Sequence, residues 1–390
     1  MPSRTSRRDF LTASISAGLF TPLASASPAF SVSKPPLDEP PSGSSIKLSH
    51  KTLGRTGLNV TTVGFGCMIT SDPSVIERAA DLGINYFDTA HSYQNGNNER
   101  MVGAAVGAKR KQIVLSTKTH APDKAGMLQH LNQSLQSLKT DYIDIWYLHG
   151  RDNPEEVHDE HIEAQQLAKQ QGKVRFVGVS THGARRLIPW MVQKNVFDVV
   201  LSVYNFTMDP AMDQALEAAA KAGLGVVAMK VMAGGPRSHR AGDPIGGRLA
   251  QPGAMLSALK WVVRNPNVAT TIPSMTDMDQ LDENLKAMEQ AYTSADAAIL
   301  SAHLERIRPL YCRMCGACEG ACRQGLPVAD MLRCLSYAEG YGQFALGRER
   351  YIELGLAQNA GCANCALCTV NCPHGVHVAR RVARAQEIFA

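Results

Sequence analysis

The 390-residue chain has no long basic block, no run of about twenty apolar residues, and no G-x-G-x-x-G after its first strand-like segment. Each absence excludes something. Charged residues are 19% of the total and the net charge of +5 is spread along the chain, so a nucleic-acid surface is not expected. A membrane-spanning helix lacks the apolar length it needs. The segment "GFGCMI" does not supply the glycine fingerprint of a Rossmann sheet, and no flavin signature is visible. What is present is 44% hydrophobic content, enough for at least one sizeable core. The expectation is a multidomain soluble protein acting on a small molecule.

The N-terminus has its own pattern. In "SRRDFLTASISAGLF", Arg7 and Arg8 precede an uncharged, moderately apolar stretch, and a small-residue A-x-A site follows at Ala24–Ala26. Charge, apolar run and cleavage site in that order predict an export signal over residues 1–26, and Ser6, Arg7, Arg8, Phe10 and Leu11 look like the twin-arginine variety. The expected partner during export is the twin-arginine translocase and the expected destination is the periplasm. Retention as a membrane anchor is disfavoured, because large apolar residues are few and no lipobox cysteine follows. Residues 27–45, with five prolines, read as a flexible linker.

From residue 46 to 291, short β-rich runs alternate with amphipathic segments of helical length. The strand candidates are "TVGFGC", "INYFDTA", "QIVLSTK", "YIDIWYLH", "VRFVGVS", "VVLSVYN", "GVVAMKV" and "ATTIPSM". Helical stretches such as 74–82, 125–138, 163–171 and 211–222 lie between them. Eight β/α units in about 250 residues are the size and rhythm of a (β/α)8 TIM barrel. In such a barrel active sites gather at the C-terminal ends of the strands. Those ends here carry Asp88 with Tyr93, then Lys118, then His149.

The four residue types suit proton transfer to a carbonyl. A free tyrosine, with a pKa of about 10, gives up its proton reluctantly. A neighbouring Lys118 ammonium would stabilise the tyrosinate, Asp88 would hold Lys118, and His149 would position the carbonyl oxygen.

With these motifs on the page, the chain resembles the aldo-keto reductase superfamily over roughly residues 48–290. The resemblance is carried by "LGRTGLNVTTVGFGCM", "FDTAHSY", "STK", "YLHG", "GVS" and "IPSMTDMDQLDENL". It implies that Asp88, Tyr93, Lys118 and His149 form a catalytic tetrad with Tyr93 as general acid/base. It also implies that a nicotinamide cofactor, NADP(H) or NAD(H), lies across the mouth and exchanges hydride with a carbonyl or alcohol. Ser180, Met229, Lys230, Ser274, Glu283 and Asn284 are the matching cofactor positions. Several depart from the family's pattern: Thr181 stands where Asn is frequent, Leu201 where Gln is frequent, and Met229 replaces a stacking Tyr, though its sulfur still covers a ring face. Ser274 and Gln280 stand where cations often hold a 2′-phosphate, so NADP is not favoured over NAD.

Ten cysteines remain to be placed. Cys312, Cys315, Cys318 and Cys322, and again Cys362, Cys365, Cys368 and Cys372, follow C-x2-C-x2-C-x3-C. That spacing lets three thiolates wrap one iron–sulfur cube while the fourth reaches a second. It predicts two [4Fe–4S] clusters with crossed ligation: Cys312, Cys315, Cys318 and Cys372 on one, and Cys362, Cys365, Cys368 and Cys322 on the other. Zinc, with its C-x2-C pairs, and disulfides fit a repeated four-cysteine run less well. Cys67 and Cys334 read as packing residues.

A connecting helix over 292–308 and a small α-helical two-cluster ferredoxin-like domain over 309–390 are therefore expected. Four thiolates per cluster leave no open iron, which points to electron transfer and to an external redox partner. The leading reading is a periplasmic aldo-keto-reductase-type oxidoreductase of a small carbonyl or alcohol, coupled to the clusters, with any nicotinamide tightly bound. The alternative is a non-enzymatic electron carrier whose barrel has lost nicotinamide.

Overall fold

Strand-forming runs rich in Val and Ile, and helices opened by aspartate caps, set the architecture. In the computed structural model, which describes residues 47–234, 252–356, 361–362, 365 and 367–389, Asp72, Asp123, Asp209 and Asp277 each accept a backbone N–H at the start of a helix. The expected signal peptide and linker lie outside the described residues, as does most of the loop after the seventh barrel strand. Among the described residues no helix is long and apolar enough to cross a membrane.

The first two strands, β1 (His50–Thr52) and β2 (Asn59–Thr61), form an antiparallel hairpin that the sequence reading did not separate from the barrel. The barrel follows as eight parallel strands in chain order: β3 (Phe65–Gly66), β4 (Tyr86–Asp88), β5 (Val114–Thr119), β6 (Ile143–Leu148), β7 (Val174–Thr181), β8 (Val199–Val203), β9 (Gly225–Met229) and β10 (Thr270–Thr271). A bridge between Val63 and Thr271, with Gly64 donating to the Thr271 carbonyl at 2.8 Å, joins the first strand to the last. All eight expected strands and the four named helices are present, the helices as Pro73–Asp81, Lys124–Leu138, Asp159–Gln170 and Pro210–Lys221.

Two apolar layers result from the period-2 alternation. Tyr86, Val114, Ile145, Tyr147, Val199, Leu201 and Val227 point into the barrel, and Leu53, Leu58 and Val60 of the hairpin join them as a plug. Phe87, Leu115, Trp146, Val177 and Val200 point outward against the helices. Because Tyr86 faces in, Asp88 does too; register then sets Asp88 beside Ser116 and Lys118 beside Tyr147 at one end of the sheet.

The expected connecting helix runs Ser294–Ile307, tied back by the buried pair Lys260–Asp296 at 2.7 Å. Beyond it lie helices Val328–Leu335, Phe344–Glu353 and Val378–Phe389, around a separate core that includes Met331, Leu335, Val382 and Phe389. Residues 46–390 nonetheless form one compact unit. The helices dock on the loops leaving the barrel. Asn205 donates to the Tyr311 hydroxyl at 3.2 Å, Arg186 pairs with Glu319 at 2.5 Å, and Gly340 presses so close to Gly234 that an added Cβ would lie 2.4 Å from its carbonyl oxygen.

Candidate active site

Asp88 closes β4, Lys118 sits one residue from the end of β5, and His149 follows β6 directly. Tyr93 stands in the loop after β4. It is followed by Gln94 and Asn95 at φ 50° and 52°, a left-handed pair that non-glycine residues seldom adopt and that marks a constrained turn. Gln94 is held there by donating to the Thr70 carbonyl at 2.8 Å.

Lys118 uses all three of its protons. Its Nζ donates to Asp88 Oδ2 at 2.5 Å, to the Thr89 carbonyl at 2.7 Å and to the Tyr93 hydroxyl at 3.3 Å. Ser116 donates to the other Asp88 oxygen at 2.6 Å. Burial lowers the lysine's pKa, but Asp88 and Tyr93 outweigh it and leave the ammonium above its ordinary value. It is therefore a fixed positive charge aimed at the phenol.

Desolvation in the cavity raises the Tyr93 pKa by more than Lys118 lowers it, so without substrate the phenol stays above its ordinary value. Lys118 orients and moderates; it does not yield a standing tyrosinate.

His149 stacks on His120 at 3.8 Å and meets the Tyr93 ring edge-on at 5.7 Å. Burial, then His120, Lys118 and Arg350, hold it well below the usual histidine range, so it is neutral. Its Nδ1 is buried and has no hydrogen-bond partner among the described residues.

These side chains open on a cavity of about 1530 Å³ at the C-terminal mouth. Of the expected cofactor positions, Ser180, Met229, Lys230 and Ser274 line it, together with Leu201 and Gln280. Ser180 Oγ accepts a hydrogen bond from Gly150 N at 2.8 Å. Gln280 is engaged at a helix start, donating to Asp277 at 2.6 Å and Thr276 at 2.8 Å. Thr181 is turned away, donating to Asp152 at 3.2 Å, and Glu283 and Asn284 do not line the cavity. The chain's residues thus offer an apolar floor and polar rim for a flat ring at the reacting end. For a 2′-phosphate, Ser274 and Gln280 provide polar but uncharged groups.

The other wall comes from the C-terminal helices, which the sequence reading did not place in the site. Arg333, Tyr337, Tyr341 and Arg350 line the same cavity as Tyr93. The loop "GRDNPEEVHDEH" after β6 supports this wall: Asp152 accepts from His182 N at 2.6 Å and lies 3.5 Å from Arg333.

The eight motif cysteines collect in two groups. Burial, then Cys318, Cys315 and Cys372, push the Cys312 thiol up to about 12. Burial, then Cys368, Cys365 and Cys322, raise Cys362. Each group draws three thiols from one motif and the fourth from the other. Among the described residues no three His, Cys, Asp or Glu side chains close to the spacing of a single metal ion. Each group offers four sulfur donors, the donor set a four-iron cluster takes. Cys67 and Cys334 are buried, as expected of packing residues.

A parallel barrel with an acid, a lysine-coupled tyrosine and a neutral histidine at its C-terminal mouth defines a small-molecule oxidoreductase. Comparison with known proteins sharpens the class. The Aldo/keto reductase family model matches residues 71–248. The chain is 27% identical over 301 residues to an uncharacterized oxidoreductase, YqkF, of Bacillus subtilis, covering 66% of this chain and 97% of that one. It is 27% identical over 292 residues to L-galactose dehydrogenase of Arabidopsis thaliana, covering 63% and 89%. Among solved structures, the holo form of aldo-keto reductase AKR11C1 from Bacillus halodurans superposes with a TM-score of 0.57 at 27% identity, covering 66% of this chain and 96% of that one. The comparisons support an oxidoreductase enzyme, and the chain is similar to the aldo/keto reductases over its barrel. The similarity to these relatives leaves about a third of this chain unmatched.

Proposed function

We propose that the protein is an exported oxidoreductase that exchanges hydride between a nicotinamide cofactor and a small carbonyl or alcohol, with Tyr93 as general acid/base and two [4Fe–4S] clusters linking the barrel to an external redox partner. The observation that carries the proposal is the Asp88–Lys118–Tyr93 chain, with His149 beside it, at the open end of the barrel.

A carbonyl oxygen placed against Tyr93 and His149 develops negative charge as it is reduced. Neutral His149 positions that oxygen, and Tyr93 supplies its proton. As the phenol loses the proton, the ammonium of Lys118, 3.3 Å away, meets the new charge without moving, because Asp88 and the Thr89 carbonyl already fix it. Desolvation that disfavours tyrosinate makes the same ammonium more effective in the transition state. In the reverse direction Tyr93 takes the proton back.

A nicotinamide, when bound, supplies or accepts the hydride; Met229 and Leu201 would cover its ring, and Ser180 would meet its amide. The clusters would supply one-electron storage. Export fits a chain whose clusters are assembled before translocation, and it requires any nicotinamide to travel with the protein. The test is to denature purified protein, assay the released nucleotide, and titrate the stripped protein with NADH and NADPH. Bound nucleotide or saturable binding supports the proposal. Neither would contradict it.

A further inference from the structure

Tyr337 repeats the geometry of Tyr93 on the opposite wall of the cavity. Lys230, the residue after β9, donates from Nζ to the Tyr337 hydroxyl at 3.3 Å, and its ammonium lies 4.4 Å from the centre of the same ring. The Tyr341 ring bounds Lys230 on another side at 5.5 Å. No carboxylate among the described residues is ion-paired with Lys230.

Two backbone features hold this pair in place. Lys230 has φ 55°, a left-handed conformation that a lysine adopts only where its surroundings dictate it. Tyr337 sits in a π-helical turn, Ser336–Gly340, closed by the Tyr341 N–H on the Ser336 carbonyl at 3.1 Å. Such turns concentrate at functional sites. The widened turn carries Tyr337 at the end of the helix Val328–Leu335, over the mouth, and the Gly340–Gly234 contact fixes the turn against the barrel.

We propose that Tyr337, oriented by Lys230, is a second proton-transfer residue of this active site. The C-terminal domain would then complete the catalytic cavity, and the substrate would be a hydroxycarbonyl or polyhydroxylated small molecule contacted by both tyrosines. This rests on the oxidoreductase reading above and deepens it. The carbonyl or alcohol that reacts faces Tyr93 and His149, while a second hydroxyl of the substrate faces Tyr337. In the step assigned to it, Tyr337 in its ionised form, which Lys230 stabilises, takes the proton of that hydroxyl: the substrate O–H bond breaks, the phenol O–H forms, and Lys230 stays charged.

The surroundings support the assignment. Arg333 and Arg350 approach Tyr337 from the two flanking helices, Lys230 and Tyr93 from the barrel, and Tyr341 from its own turn. Burial opposes ionisation, but Lys230, Arg333 and Arg350 outweigh it and hold Tyr337 below the ordinary tyrosine value. Tyr93 is held above it, partly by Tyr337 itself. The two tyrosines thus differ in the sense that two proton-transfer roles require.

The full-length protein with its native cofactors should show, by ultraviolet tyrosinate absorbance, one tyrosine titrating below about 10. That step should vanish in Tyr337→Phe, move upward in Lys230→Met and persist in Tyr93→Phe. On a hydroxycarbonyl panel Tyr337→Phe should also lose about 10²-fold in kcat and one limb of its pH profile. A low-pH tyrosine step that survives Tyr337→Phe would overturn the proposal, as would wild-type turnover in that variant while Tyr93→Phe is inactive. Undiminished turnover in Tyr93→Phe would instead sink the underlying reading, leaving the titration to decide Tyr337 by itself.

Discussion

Lys230 Nζ stands 3.3 Å from the Tyr337 hydroxyl, the same separation at which Lys118 Nζ meets the Tyr93 hydroxyl. One pair is built by a barrel strand and the loop that follows its neighbour. The other joins the barrel to the C-terminal helices. The consequences of this two-sided construction are open to direct measurement.

Lys118 and Asp88 are almost fully buried, with side chains 2% exposed. Removing one charge strands the other without water. Lys118→Met should therefore cost about 3–5 kcal/mol in urea unfolding as well as activity. A loss below about 1 kcal/mol would mean that solvent reaches the pair as it does at a surface.

Histidine protonation sets the acid limit. Burial, then Arg350 and Arg151, push His120 down to about 3; burial outweighs Asp152 and leaves His182 at about 4. Both lie below the unfolded value of about 6.5, so on acidification the unfolded chain takes up protons before the folded one does. Their stabilising contribution is fully present above about 6.5 and is lost as pH falls toward the folded values. Urea midpoints should decline across that window, and His182→Gln should flatten the decline.

The seat of the C-terminal helices depends on a missing side chain. A Cβ on Gly340 would lie 2.4 Å from the Gly234 carbonyl oxygen, closer than van der Waals contact permits. Gly340→Ala should cost about 1–3 kcal/mol and loosen the wall that carries Tyr337. Limited proteolysis should then cut between barrel and C-terminal helices faster than in wild type. Unchanged cleavage would show that this contact does not seat the wall.

Crossed ligation is separable from ligation within each motif. Cys322 groups with Cys362, Cys365 and Cys368, although it belongs to the other motif. On the proposed two-cluster reading, Cys322→Ser should bring iron content from about eight to about four atoms per chain and spare the cluster assigned to Cys312, Cys315 and Cys318. Loss of that cluster instead would restore the within-motif pairing.

The barrel and the Asp88–Tyr93–Lys118–His149 set were legible because strand ends converge on one mouth in this architecture, so positions along the chain translate into positions in space. Three things were not. The ionisation of Tyr93 depends on how much water its cavity holds, which no residue pattern reports. The role of "SYAEGY" depends on where the helix Val328–Leu335 docks, and its sequence reads only as amphipathic helix. Its π-turn leaves no composition cue. The support that Asp152 gives the C-terminal wall depends on contacts far apart in sequence, because its carboxylate is taken up by His182 N and Arg333.

The central claim is that Tyr93 moves the proton when hydride is exchanged, and one comparison tests it most directly. Wild-type and Tyr93→Phe protein, matched in iron content and folded to the same stability, are assayed with carbonyl and alcohol panels in the presence of NADH, NADPH and their oxidised forms. The account predicts a loss of about 10²–10⁴-fold in kcat for the variant, with nucleotide binding retained. Turnover in Tyr93→Phe equal to wild type would contradict it.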